Sequence, residues 1–165
     1  MATEEQKYLS VERPVFLAFI KSAKLLIDHE SICKEIGSSM PDISCRLTDK
    51  THYFELVEIC DSRIAEANAF ELKNFAADND TPASYTRAAD PTGNIIRDKF
   101  KKTYNTSHPI DLLCYVAGRT VSPDDLIISR ILEIAESKKT SFNRIWLYGE
   151  KYVYSVWPQY IEYPR

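Results

Sequence analysis

The chain has 165 residues, of which 44% are hydrophobic and 27% are charged. These ordinary globular proportions exclude an unfolded chain and suit a single domain. Its 21 Lys and Arg residues against 24 Asp and Glu residues give a net charge of -3. No overall basic field therefore attracts nucleic acid, and any such contact needs a local patch or a metal ion. Because no run of about eighteen apolar residues occurs, we expect no membrane-spanning segment and no membrane partner.

The N-terminus and the cysteines together predict a cytoplasmic protein. Residues 1–10 are polar and acidic and lack the apolar core of a signal peptide. The cysteines have no CxxC spacing and lie in apolar segments, which is typical of buried thiols and not of disulfides or a zinc site. These cysteines are Cys33, Cys45, Cys60 and Cys114.

The first half of the chain predicts an arm, a long helix and a β-hairpin. Residues 1–12 are expected to form an arm, and residues 13–165 a single domain. Pro14 suits the first turn of a helix, apolar residues then recur with a helical period, and Gly37 ends it. In chain order, the predicted elements are a helix at 14–36, strands at 42–47 and 53–60, and a helix at 61–75.

The second half begins with a predicted long loop at 76–93. This stretch has two prolines, three aspartates and no apolar periodicity, and loops of such length are commonly functional. The elements that follow are a helix at 94–104, a strand at 110–116, a helix from Ser122, and a hairpin of strands at 144–148 and 152–157. This order predicts an α/β or α+β domain with a mixed central sheet flanked by helices.

The first hairpin brings two carboxylates together. If its turn is centred on Asp49 and Lys50, Ser44 faces Glu55, and Asp42 becomes a diagonal neighbour of Glu55. Side chains alternate along a strand, so all three residues share one face. A pair of carboxylates at that separation can hold one hard divalent cation through oxygen ligands. The alternative is two solvated acids on an exposed face.

The predicted first helix offers a third acid. On a helical wheel that starts at Phe16, Glu30 falls in the middle of the apolar stripe. An acid there is unfavourable unless it is paired or binds a cation, so Glu30 is a candidate third metal ligand. Alternatively, this end of the helix passes beyond the core, or Glu30 pairs with a buried cation. Glu12, which precedes the helix, is a weaker rival for the role.

These residues resemble the PD-(D/E)xK nuclease superfamily, which has a restriction-endonuclease-like core. Pro41-Asp42 and Glu55-Leu56-Val57 carry the resemblance, on a hairpin that follows a long helix, and the order of the later elements also fits. The resemblance implies that Asp42 and Glu55 bind Mg²⁺ (or Mn²⁺) and that the protein hydrolyses phosphodiester bonds of nucleic acid, with DNA expected ahead of RNA.

The sequence departs from that motif at one position. In the superfamily, a lysine two residues after the glutamate orients or activates the attacking water, and here Val57 stands in its place. Some members carry the lysine on the helix after the hairpin. Lys99 is the candidate here, because it flanks the apolar face of the helix at 94–104, where its stem can reach inward. A surface lysine is the alternative. Lys101 and Lys102 are expected to point toward solvent or phosphate.

Other activities find little support in the sequence. Three scattered histidines without a GxSxG motif argue against a Ser/His/Asp hydrolase, and the four glycines form no Walker A or dinucleotide motif. C-terminal aromatic residues can stack on bases, but their alternation along 152–156 favours a core strand or a homodimer contact. Two functions stay open, namely a Mg²⁺-dependent endonuclease and a catalytically lapsed relative that acts as a binding or regulatory module. The missing lysine and the acidic balance favour the second, whereas the retained Asp42 and Glu55, with Glu30 in phase, favour the first.

Overall fold

The computed structural model describes residues 3–66 and 90–165. In it, segments with alternating or continuous apolar residues form the strands of one mixed sheet. The sheet has seven strands, arranged in the same order as in the sequence. The inner strands β3, β4 and β5 are parallel to one another, and the remaining neighbours are antiparallel. The strands are β1 (Ile27–Lys34), β2 (Ile43–Leu47), β3 (Lys50–Glu58), β4 (Ile110–Tyr115), β5 (Arg144–Tyr148), β6 (Tyr152–Trp157) and β7 (Ile161–Pro164).

Helices flank this sheet. Thr3 caps the first of them with a reciprocal pair of hydrogen bonds to Gln6, which satisfies amides at the helix N-terminus. The helical elements are α1 (Glu4–Lys7), a π-helical turn (Tyr8–Glu12), α2 (Arg13–Ser22), α3 (Thr92–Lys101) and α4 (Asp124–Ser137). None of the helices in the described ranges is long and apolar enough to cross a membrane.

The two faces of the sheet contact different hydrophobic cores. On β4, Leu113 and Tyr115 pack in the core that includes Phe16 and Phe19 of α2. Their neighbours on the same strand face the second core, in which α3 and α4 pack. Every residue of β4 is buried, as expected of a parallel strand that is covered on both faces. The sequence-based prediction of a mixed sheet flanked by helices is therefore confirmed.

The predicted helix at 14–36 is wrong in its second half. Helix α2 ends at Ser22, and Lys24 adopts a left-handed conformation with φ 54° that turns the chain toward β1. Strand β1 then occupies Ile27–Lys34. The helix was predicted to continue because the apolar residues at 26 and 27 extend its period. The strand was not predicted because β1 is an edge strand with few buried side chains, so its sequence shows little alternation of apolar and polar residues.

The N-terminal segment is also more ordered than an arm. Residues 4–12 are helical, and Tyr8 and Glu12 are buried against the domain. The prediction that the cysteine thiols are buried holds for Cys45 and Cys114, but Cys33 is exposed on β1. β7 was not predicted.

The predicted loop at 76–93 falls largely outside the described residues. The description resumes at Asp90, and α3 begins at Thr92. Of the predicted helix at 61–75, residues 62–66 are helical, and the part from 67 onward also lies outside the described residues.

Candidate metal and phosphate site

The register of the first hairpin sets Asp42 beside Glu55. Ile43 pairs with Phe54, and the two residues of the turn, Thr48 and Asp49, both have positive φ, at 48° and 64°. That is the pattern of a type I′ turn. The turn lies one residue earlier than predicted, so continuing the register one residue beyond β2 places Asp42 directly opposite Glu55 and not diagonal to it. Side-chain alternation is unaffected, because the pairing shifts by two residues.

Asp42 extends the β2–β3 contact with its side chain. Its Oδ2 accepts the backbone N–H of Leu56 at 2.7 Å, just beyond the last residue pair of the two strands. Burial and the negative charge of Glu55 raise the pKa of Asp42 to about 6, while the hydrogen bond from Leu56 and the charge of Lys99 oppose that increase. The two carboxylates are thus close enough to repel each other.

Glu55 lies at the centre of the site. It is fully buried in the middle of β3, and its Oε1 accepts hydrogen bonds from Lys99 Nζ at 2.6 Å and from Lys102 Nζ at 2.9 Å. Its other oxygen, Oε2, is buried and has no hydrogen-bond partner among the described residues. A buried carboxylate oxygen without a partner is uncommon, and the hydroxyl of Tyr104, which interacts with the side chain of Glu55, is one donor that can satisfy it.

The structure brings the predicted lysine to the predicted acid. Lys99 leaves α3 on the side that faces the sheet, and 23% of its side chain is exposed. Lys101, two residues later, is 71% exposed and pairs with Asp98 on the surface, as the helical wheel predicted. The stem of Lys99 therefore reaches inward to Glu55, as its position beside the apolar face had indicated.

Two further residues at Glu55 were missed by the sequence reasoning. Lys102 was expected to point toward solvent or phosphate, but it donates to Glu55 because α3 ends at Lys101 and Lys102 is extended, with ψ 136°. A helical wheel does not apply beyond the helix end. Tyr104 follows, with its hydroxyl buried and without a hydrogen-bond partner in the described part of the chain. Burial, the charge of Glu55 and the interaction of the hydroxyl with the Glu55 side chain raise the pKa of Tyr104.

The third acid near the pair is Glu12 and not Glu30. Glu30 is exposed on β1, so the helical phase that made it a candidate ligand does not exist. Glu12 is buried at the end of the π-helical turn, where it accepts from Lys7 Nζ at 2.7 Å, and its charge contributes to the raised pKa of Asp42. Its position just before Pro14 was the signal available in the sequence, but the π-helical turn that directs it inward was not predictable.

Glu58, the other acid at this end of β3, does not join the site. It pairs with the guanidinium of Arg119 through two hydrogen bonds. Side chains three residues apart on a strand project to opposite faces, which explains the separation from Glu55. Arg119 lies in the loop between β4 and α4.

The comparisons with known proteins add no assignment. No family model matches the chain, and neither the curated proteins nor the solved structures include a match. Within residues 3–66 and 90–165, no three His, Cys, Asp or Glu side chains form a group that could hold a metal ion. The site consists of an acid pair, Asp42 and Glu55, with two lysines and a tyrosine around Glu55.

Proposed function

We propose that this protein is a metal-dependent nuclease that hydrolyses phosphodiester bonds of nucleic acid in the cytoplasm, with DNA ahead of RNA as its substrate. The observation that carries the proposal is the convergence of Asp42, Glu55 and Lys99, since Lys99 Nζ lies 2.6 Å from Oε1 of the buried Glu55. These are the residues that the resemblance to the PD-(D/E)xK superfamily singles out, with the lysine on a helix in place of Val57.

The donor atoms suit Mg²⁺ or Mn²⁺ as the cofactor. Oε2 of Glu55 is buried and accepts no well-aligned hydrogen bond from the residues that the structure describes, and Asp42 uses Oδ2 for the Leu56 amide. A hard cation that bound these two carboxylates would also relieve their mutual repulsion. Mg²⁺ is commonly held by one or two carboxylates, with water and substrate phosphate as its other ligands, so an acid pair is a sufficient protein contribution.

The two lysines provide positive charge that can interact with the negatively charged substrate. A bound cation would polarise the phosphate and lower the pKa of a coordinated water. Lys99 and Lys102 donate to the same oxygen of Glu55, so one ammonium can turn to a phosphate oxygen while the other keeps Glu55 paired. A positioned ammonium stabilises the negative charge that develops in the transition state. The pair also provides the local positive patch that a chain with net charge -3 needs.

Cleavage by purified protein tests this proposal. Plasmid, single-stranded DNA and RNA are incubated with wild type and Glu55→Gln in Mg²⁺ or Mn²⁺, and with the matched control Glu58→Gln, whose residue pairs with Arg119 outside the site. We expect cleavage that requires the metal, is lost in Glu55→Gln and survives in Glu58→Gln.

Two results would count against the nuclease. Cleavage that persists in Glu55→Gln would come from a contaminating enzyme. No cleavage by wild type on any of the three substrates would reject the catalytic function and favour the binding or regulatory module, for which Val57 at the motif lysine position is the supporting observation.

A further inference from the structure

A pocket lies on the face of the sheet opposite Glu55, near the turn between β2 and β3. It has a volume of about 300 Å³, which is at the lower end of roughly 300–1,000 Å³ for small-molecule sites. His52 contributes to its floor and lies on β3, three residues before Glu55. Because side chains three residues apart on a strand face opposite sides, this pocket is separate from the candidate metal site.

The floor of the pocket is a buried polar group, one atom of which has no hydrogen-bond partner within residues 3–66 and 90–165. Asp111 is only 2% exposed and accepts hydrogen bonds from Trp146 Nε1 at 2.8 Å and from Asn143 Nδ2 at 3.2 Å. His52 is 7% exposed, and its Nε2 lies 3.0 Å from Asp111 Oδ1 without the alignment of a hydrogen bond. Nε2 is therefore a buried polar atom without an aligned partner among the described residues, and a ligand hydroxyl can satisfy it.

The mouth of the pocket is positively charged, and its walls are apolar. Lys24 and Arg144 are exposed at the mouth and present two positive charges. Leu25 and Leu47 are half-buried on the walls between the mouth and the floor. From its mouth inward, the pocket is therefore lined first by cationic side chains and then by apolar side chains, and its floor places the imidazole of His52 beside the carboxylate of Asp111.

We infer that this pocket binds a small organic anion that carries a carboxylate at one end, an apolar middle and a hydroxyl at the other. The carboxylate pairs with Lys24 and Arg144, and the apolar body lies against the leucines. The hydroxyl accepts from His52 Nε2 and donates to Asp111. A carboxylate on the floor is excluded, because it would lie against the buried charge of Asp111.

Titration of the full chain with 4-hydroxybenzoate tests this inference, with the indole N–H signal of Trp146 followed by NMR and assigned with a Trp157→Phe variant. Two analogues test the two ends of the probe individually, because benzoate lacks the hydroxyl and 4-hydroxybenzamide lacks the negative charge. We expect saturable binding with a Kd of about 1 mM, and binding about tenfold weaker for each analogue.

Arg144→Gln and Lys24→Gln should each weaken 4-hydroxybenzoate binding by about tenfold, whereas Lys101→Gln, whose residue pairs with Asp98 on the surface of α3, should leave it unchanged. The analogues of the probe keep the test valid if a variant does not fold. Equal binding of 4-hydroxybenzamide, equal binding of benzoate, or no saturable shift of Trp146 would each overturn the inference. The titration contains no divalent metal or nucleic acid, so its outcome is independent of the nuclease proposal.

Discussion

Asp42 links the stability of the fold to pH. Its pKa in the folded chain is about 6, above the ordinary value of 3.8, and burial is the main cause. Between these two pH values the folded chain retains a proton that the unfolded chain has released, so lower pH stabilises the fold. As pH rises through the folded pKa that stability is lost, and at neutral pH the ionised Asp42 disfavours folding.

The substitution Asp42→Asn should therefore stabilise the protein at neutral to alkaline pH in the presence of EDTA. We expect its free energy of unfolding to exceed that of wild type by about 1–3 kcal/mol near pH 8 and to differ little near pH 4, because the amide carries no charge and can still accept from Leu56. Urea denaturation at both pH values measures the difference.

Asp98→Asn is the control for this measurement, since Asp98 pairs with Lys101 on the surface. It should change the unfolding free energy by no more than about 0.5 kcal/mol. An Asp42→Asn variant that is equally destabilised at both pH values would mean that the carboxylate contributes a structural contact and no charge repulsion.

Lys99 is the residue on which the catalytic proposal differs from the motif of the resembled superfamily. If its ammonium stabilises the transition state, Lys99→Ala should lower the cleavage rate by roughly 10²–10³. Lys101→Ala removes the same side chain from the same helix, but from a position that is 71% exposed, and should leave the rate nearly unchanged. Initial rates of metal-dependent cleavage provide the comparison. Equal rates for wild type and Lys99→Ala, with activity lost in Glu55→Gln, would assign the role to another cation, with Lys102 the first to test.

The end of α2 marks where the sequence-based prediction of helices and strands fails. The hairpin strands β5 and β6 have the bounds that their alternation predicted. Strand β1 was missed because apolar residues at its start continued the period of the preceding helix. The turn at Lys24 depends on a left-handed residue that is not glycine, which no local pattern signals.

Two substitutions test whether α2 ends at Ser22. Phe19 is fully buried, with its ring 5.2 Å from that of Trp146, so Phe19→Ala should lower the free energy of unfolding by about 3–5 kcal/mol. Leu26 would share that buried stripe if the helix continued, but it is 77% exposed, so Leu26→Ala should change stability by about 0.5 kcal/mol or less. Denaturant unfolding of both variants measures the contrast. A loss of several kcal/mol in Leu26→Ala would contradict the helix end at Ser22.

The candidate site depends on contacts between three segments that are distant in sequence. The pairing of Asp42 with Glu55 was predictable, because alternation within a hairpin survives a register shift of two residues. The approach of Lys99 was predictable from its place beside an apolar helix face. The contributions of Glu12 and Lys102 were not, because they depend on a π-helical turn and on the residue at which α3 ends.

Three segments meet at the candidate site because helices pack on both faces of the sheet that carries Glu55. Strand β3 contributes Glu55, α3 and the residue after it contribute the lysines, and the N-terminal helices bring Glu12 toward Asp42. A hydrogen bond from Asn105 N to Ser39 O, at 2.7 Å, connects the chain after α3 to the loop that precedes Asp42. The acid pair is therefore held by the fold as a whole and not by the hairpin alone.

Crystals soaked in Mn²⁺, with the ion located by anomalous diffraction, give the most direct test of the acid pair. We predict a peak between the carboxylates of Asp42 and Glu55, with metal–oxygen distances of roughly 2.0–2.3 Å, and no such peak in crystals of Glu55→Gln. Glu58→Gln crystals should keep the peak. Wild-type crystals without density between the two acids at saturating Mn²⁺ would contradict the proposed metal site.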